Sequence, residues 1–228
     1  MQRIGKLARR DLLAMMAAGA VLGPTTALRA ALPPASRIAF DVLREDSTIG
    51  RHVIGFREEG RDLLVDIDID LEVRFAFLTL FRYQHRNRER WRDGRLISLD
   101  SQTDDDGSPY WVKAQAVENG LQVESSEARF IAPAETLPTS YWNPATVRQR
   151  RLLDSQRGRL LDVEIKPSGR SRVVLPQGII EAQRYRVDGD LKLDIWYGPD
   201  QAWVKLAFEA KGTEIEYSPL ETTSPQRT

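Results

Sequence analysis

Residues Leu64–Val73 read Leu-Val-Asp-Ile-Asp-Ile-Asp-Leu-Glu-Val, and this stretch decides the fold. Apolar residues occupy the odd positions from 65 to 73, and acids occupy the even positions from 66 to 72. A period of two places the apolar side chains on one face of a β-strand, whereas a helix would scatter the acids around its circumference. The stretch therefore predicts a strand with one buried face and one solvated face, as in an antiparallel sheet.

The same alternation continues from Ile38 onward, and turn residues separate the β-prone runs. Pairs such as Asn119-Gly120 and Asp188-Gly189 supply the positive φ angles that tight hairpins need. The C-terminal part predicts a four-stranded meander of Ile179–Val187, Leu191–Tyr197, Trp203–Ala210 and Thr213–Tyr217. Ten or more antiparallel strands must curl or close to hide their edges. We therefore predict a mainly β protein built on a single curved antiparallel sheet or incomplete β-barrel.

One internal segment departs from the alternation. Residues 133–151 contain three prolines, and Asn143-Pro144 has the form of a helix N-cap followed by proline at the first helical position. We predict one short helix over about Pro144–Arg151, near the mouth of the barrel.

The first thirty residues have the pattern of an export signal. A basic start that ends in Arg9-Arg10 precedes an uncharged run over residues 12–22, and small residues follow. The paired arginines resemble a twin-arginine signal, with an ordinary secretory signal as the alternative. The pattern predicts an N-terminal signal helix and cleavage after Ala27, Ala30 or Ala31. It also predicts the twin-arginine translocase as a partner during export and a soluble mature protein in the periplasm.

The domain organisation follows from these features. We assign residues 1–30 to the signal peptide, 31–217 to one antiparallel β domain and 218–228 to a flexible polar tail. An uncharged run of eleven residues is too short to cross a bilayer, which takes about twenty, so no stable membrane span is expected after cleavage.

The composition excludes several functions. The chain has no cysteine, which rules out disulfides, a thiol nucleophile and thiolate metal ligands. Of its 33 basic and 33 acidic residues, five basic and one acidic lie in the first thirty, so the domain is mildly acidic. Nucleic acid is therefore not an expected partner. The sequence contains no motif for a metal or nucleotide, and we predict no cofactor.

The most unusual feature is a stripe of arginines. Its members alternate along one predicted strand face and comprise Arg82, Arg86, Arg88, Arg90 and Arg92, with Gln84 among them. As a binding surface, Arg86, Arg88 and Arg90 suit an anionic group. As a structural feature, the stripe matches the acidic face of Leu64–Val73 in length, and residues 75–80 could form the bend between two paired strands.

Aromatic residues provide the second set of candidates. Trp142, Trp196 and Trp203 belong to aromatic pairs or β-prone runs in the second half of the chain. They suit the apolar part of a ligand in a groove, or they fill the core of the sheet. The alternative to a binding function is a hydrolase-type enzyme that uses His52 or His85 with a neighbouring carboxylate.

Several segments also carry a family resemblance. They are Ile38-Ala-Phe-Asp-Val42, Ile49-Gly50, Tyr141-Trp-Asn-Pro144, Ile195-Trp-Tyr197 and Trp203-Val204. Over about residues 36–217 the chain resembles a family of exported bacterial domains of unknown function, domain of unknown function 6134. It is distantly similar to periplasmic half-barrels of the lipoprotein-carrier (LolA/LolB-like) type. The close family implies no activity, and the distant one implies a concave apolar surface that shelters acyl chains.

Together these features predict a non-enzymatic periplasmic binding module. Its ligand would be apolar or amphiphilic and bound in a curved β groove, or its partner would be a periplasmic protein. The predicted ligand-binding residues are Arg86, Arg88, Arg90, Trp142, Trp196 and Trp203.

Overall fold

The computed structural model describes residues 36–75, 78–210 and 212–220. The predicted signal peptide, with Arg9 and Arg10, lies outside the described residues, as does most of the predicted tail. The strands are β1 Arg37–Arg44, β2 Ser47–Glu59, β3 Asp62–Phe75, β4 Leu78–Arg92, β5 Arg95–Asp105, β6 Ser108–Val117, β7 Gly120–Ser125, β8 Arg129–Ala132, β9 Leu137–Pro138, β10 Arg151–Leu153, β11 Leu160–Leu175, β12 Gly178–Gly189, β13 Leu193–Tyr197, β14 Trp203–Ala210 and β15 Thr213–Pro219. In the part of the chain that the structure describes, no helix is long and apolar enough to cross a membrane.

All fifteen strands belong to one sheet that remains open. The order runs from β8 down to β1, continues through β15 and then descends to β9, so β8 and β9 are the two edges. Neighbours are antiparallel except β9 and β10, which run parallel. The predicted mainly β fold with one open antiparallel sheet is confirmed, as is the C-terminal meander in β12–β15. The last strand extends to Pro219, two residues beyond the predicted end of the domain.

The deciding stretch forms most of β3, and its two faces differ as expected. Val65 and Ile67 are buried, whereas Asp66 and Asp68 are exposed. The buried side chains join the main hydrophobic core with Phe40 of β1. We call the face of the sheet that carries this core the inner face and the opposite face the outer face.

The predicted helix is present but shorter. A 3₁₀ helix spans Pro144–Arg148, and the Asn143 side chain accepts a hydrogen bond from the backbone N–H of Ala145 at 3.0 Å. This is the predicted N-cap. The helix ends before Arg151 because Arg151–Leu153 forms β10 and pairs with β11.

The segment between β8 and β11, residues 133–159, lies against the inner face, and we call it the crossing segment. Ser101 on β5 donates a hydrogen bond to the backbone carbonyl of Ser155 at 2.5 Å. On the other half of the sheet, the Tyr197 hydroxyl donates to the backbone carbonyl of Tyr141 at 2.7 Å. The crossing segment therefore joins the two halves of an open sheet through side-chain contacts.

Candidate ligand-binding surface

The arginine stripe lies on the outer face of β4, beside the acids of β3. Arg86 is directly opposite Asp68, and its Nε is 3.2 Å from Asp68 Oδ2. Arg88 is opposite Asp66, and its Nε is 3.5 Å from Asp66 Oδ1. The structure thus has the cross-strand pairing that the matching stripes predicted. Exposed pairs of this kind stabilise a fold by only about 0.2–1 kcal/mol each.

The last arginines of the stripe converge on one buried carboxylate. Arg90 Nη1 donates to Asp62 Oδ2 at 2.8 Å, and Arg92 Nε donates to Asp62 Oδ1 at 2.6 Å. Hydrogen bonds from Arg92 and Arg90 hold the pKa of Asp62 well below its ordinary value. Asp62 therefore remains ionised and fixes both guanidinium groups at the turn that begins β3.

The ion pairs of β3 and β4 belong to a longer row across the outer face. Residues that pair in register from β3 to β8 alternate in charge, and they are Asp66, Arg88, Asp100, Lys113, Glu124 and Arg129. Every residue of this row except the two at its ends lies between two residues of opposite charge. The charges along this row are therefore balanced. Binding of an anionic group by Arg86, Arg88 and Arg90 stays a prediction.

This part of the outer face is hollowed into a trough with two compartments. One has a volume of about 720 Å³, and its walls include Arg88, Arg90 and Gln115. The other has a volume of about 660 Å³, and its walls include Arg86 and Trp111. Asp100, Lys113 and Glu124 line both compartments, which makes the trough continuous across β4–β7. An elongated ligand would fit this shape better than a compact one.

Trp111 is an exposed aromatic side chain of the trough, and it was not among the predicted ligand-binding residues. The side chain is directly opposite Gln102 of β5 and is 40% exposed. Its neighbour Val112 is fully buried. The alternation of β6 therefore turns Trp111 outward, and this signal was present in the sequence.

The predicted tryptophans are not brought together with the arginines. Trp142 and Trp203 are 3% and 2% exposed and lie in the core of the inner face. Trp196 is on the outer face of β13, where it packs in a separate small cluster with Val173 and Ala182. Arg184 stacks over the Trp196 ring, with Cζ 5.2 Å from the ring centroid. The packing gives all three tryptophans structural roles, and their predicted ligand contacts stay a prediction.

The inner face contains a buried carboxylate, which sequence reasoning did not single out as a site. Glu89 is 2% exposed and accepts hydrogen bonds from Asn87 Nδ2 and Trp91 Nε1, both at 2.8 Å. Trp142 Nε1 of the crossing segment donates to the same carboxylate at 3.0 Å. Burial raises the pKa of Glu89 despite these hydrogen bonds. This network attaches the crossing segment to β4.

The two histidines do not form the arrangement that the hydrolase alternative requires. The ring of His52 lies among Phe40, Trp203 and Tyr217, and neither of its nitrogens has a hydrogen-bond partner. His85 Nδ1 is 2.8 Å from the Thr103 hydroxyl. Burial lowers the pKa of His52 to about 3, with a further contribution from His85, and lowers the pKa of His85 to about 4. Both rings are therefore neutral core residues without a carboxylate partner.

Metal-binding chemistry has no geometric support in residues 36–75, 78–210 and 212–220. No group of three or more histidine, aspartate or glutamate side chains in these ranges is placed to hold a metal ion.

The open antiparallel sheet has a β-barrel-like fold. A solved structure with a similar fold is the β-barrel-like protein of domain of unknown function DUF1849 from Brucella abortus. It matches this chain with a TM-score of 0.59 at 10% sequence identity, over 83% of this chain and 97% of that chain. At this identity the match shows a common fold alone.

The particular family is shown by the sequence. Residues 40–220 match the model of the domain of unknown function DUF6134, and the chain belongs to that family. The predicted family is therefore confirmed. No curated protein matches the sequence.

Proposed function

We propose that this protein is an exported binding module that holds an elongated polar ligand in the trough of its outer face. The observation that supports the proposal is a set of side chains in the trough that are available for binding. Within the described ranges, Asp100, Gln102 and Lys113 make no side-chain hydrogen bond or ion pair, yet they line a continuous groove beside Trp111. Ligand sites usually combine a concave surface with a few convergent polar groups of this kind.

The inner face is less suited to shelter an acyl chain. The lining of an open cradle would be accessible to solvent. Phe40, Val42, Ile54 and Leu152 on the inner face instead have no accessible surface. Packing at this density has no room for a chain unless the crossing segment moves away. We therefore place the site on the outer face, and an apolar or amphiphilic ligand remains an alternative outcome of the test.

The cellular location of the protein is part of the proposal. Arg9-Arg10 and the uncharged run after them support export by the twin-arginine route to the periplasm. A binding module in that compartment would meet small molecules, cell-envelope components and periplasmic proteins, and a protein partner stays a prediction.

The test is native mass spectrometry of protein recovered from the periplasm. The trough variant replaces Asp100 and Lys113 by alanine, and the matched control replaces Asp188 and Lys192, which are exposed outside the trough. We expect the native protein and the control to carry a bound molecule that the trough variant lacks. A bound molecule that survives in the trough variant would contradict the proposal. The proposal would also be contradicted if the native protein carries no bound molecule and the backbone amide NMR signals of the trough residues do not shift when concentrated periplasmic extract is added.

A further inference from the structure

We infer that the trough ligand is an uncharged linear oligosaccharide and that Trp111 is the platform on which one of its sugar rings stacks. This inference rests on the proposed function and names the ligand class for the same site.

The first argument is the setting of the exposed Trp111 ring. Pro109 and Tyr110 also line its compartment, but the guanidinium group of Arg157 stacks on the Tyr110 ring at 4.2 Å. The other side chains of the wall are mainly polar and include Gln84, Asp100, Gln102, Asp104 and Lys113. An acyl chain or a protein anchor would be matched by a contiguous apolar patch, which these residues do not form. A pyranose ring has an apolar C–H face and a rim of hydroxyl groups. A single flat aromatic ring with polar neighbours complements both features.

The second argument concerns the hydrogen-bonding groups around the ring. Gln102, directly opposite Trp111, carries both a donor and an acceptor. Asp100 supplies acceptors and Lys113 supplies donors one row further along the same strands. Sugar hydroxyls both donate and accept, so this mixed set matches them better than a set of donors alone.

The third argument is the continuation of amide and hydroxyl groups beyond Trp111. The larger compartment, which does not contain Trp111, is lined by Ser98, Gln115 and Gln122. These three residues pair in register across β5, β6 and β7. The polar rim therefore extends past the length of one sugar ring, which favours a chain of several units over a monosaccharide.

The fourth argument is the charge balance of the trough. Arg88 lies between Asp66 and Asp100, and Lys113 lies between Asp100 and Glu124. A polyanion would meet as many carboxylates as cations along this row. An uncharged glycan has no such penalty.

The inference is tested with an array of uncharged linear oligosaccharides of four or more units, including N-acetylchitotetraose and cellotetraose. Calorimetric titration of the best probe then compares the native protein with Trp111→Ala and with the control Ile179→Ala. Ile179 is a similarly exposed apolar side chain on β12, outside the trough. We expect Trp111→Ala to weaken binding by about tenfold or more, because aromatic anchors dominate binding surfaces. Ile179→Ala is expected to leave the affinity unchanged.

The outcomes separate this inference from the proposed function. If no glycan binds, or if Trp111→Ala binds as tightly as the native protein, the oligosaccharide inference is overturned. If a different molecule from periplasmic extract still depends on Asp100 and Lys113, the proposed function survives that failure. If neither glycan nor extract engages the trough, both are wrong.

Discussion

The Glu89 network predicts a specific ranking of stabilities for substitutions at that position. Glu89→Ala removes the acceptor for Asn87 Nδ2, Trp91 Nε1 and Trp142 Nε1 and leaves three buried donors unpaired. Each unpaired buried donor costs about 1–3 kcal/mol. The loss is partly offset because the substitution also removes a carboxylate that burial disfavours. We therefore expect Glu89→Ala to lower the free energy of unfolding by at least about 3 kcal/mol, a large part of a typical total of about 5–15 kcal/mol.

Glu89→Gln separates the charge from the hydrogen bonds. The amide retains one acceptor oxygen but places an NH₂ group against a donor, so we expect a loss of about 1–3 kcal/mol. The matched control is Glu118→Ala in the exposed turn after β6, which should change stability by no more than about 0.5 kcal/mol.

The assay is urea unfolding followed by tryptophan fluorescence. A double-mutant cycle between Glu89→Ala and Trp142→Phe should give a coupling energy of about 1 kcal/mol, because the two side chains share a hydrogen bond. If the free energy of unfolding of Glu89→Ala is within about 1 kcal/mol of that of the native protein, the carboxylate does not attach the crossing segment to β4, and the reasoning is refuted.

Three further predictions concern the core, one glycine and the export signal. Because His52 has an ordinary pKa of 6.5 and a folded pKa of about 3, its neutral ring contributes stability that is complete above pH 6.5 and is lost as the pH falls toward 3. Between pH 7 and pH 5 the free energy of unfolding should therefore fall by about 2 kcal/mol less in His52→Leu than in the native protein, measured by urea unfolding at both pH values. The same fall in both proteins would show that His52 is not buried as a neutral ring. Gly158 has a φ of +75°, and an added Cβ would lie 2.4 Å from the Ser125 Cβ, whereas Gly169, with a φ of +90°, has open space. Gly158→Ala should thus cost about 1–3 kcal/mol more than Gly169→Ala in thermal unfolding, and equal costs would contradict the contact. Replacing Arg9 and Arg10 by lysine should retain the full chain in the cytoplasm when cell fractions are compared, and continued export of the variant would favour the ordinary secretory route.

The alternation in the sequence was enough to predict the strands and one important register. The acids of β3 and the arginines of β4 match in length, and the structure pairs Asp68 with Arg86 as that match implied. Local patterns of this kind depend only on the period of a strand and on the turn that joins two strands. They therefore predicted the paired charges of the outer face.

The inner face depended on contacts between distant residues. Alternation alone turns Glu89 inward, but its partner Trp142 is 53 residues away and reaches it only because the crossing segment lies on the sheet. The three predicted tryptophans failed to form one site for a related reason. A register shift between Trp196 and Tyr197 and the inward turn of Trp203 place neighbouring aromatic residues on opposite faces.

The outward orientation of Trp111 could be predicted from the sequence, but the trough around it could not. Buried Val112 and Ala114 already imply that Trp111 turns outward on β6. The hollow around it is lined by side chains from β4, β5, β6 and β7 together. A surface that combines four strands cannot be deduced from the residues of one strand.

The most direct test of a packed inner face and an open outer trough is the solvent accessibility of the five tryptophan indole N–H groups. In ¹⁵N-labelled protein, a soluble paramagnetic agent broadens the NMR signals of N–H groups that it can approach. We predict strong broadening for Trp111 and protection for Trp91, Trp142 and Trp203. Strong broadening of Trp142 and Trp203 would show that the inner face is an open cradle and would contradict the placement of the binding site on the outer face.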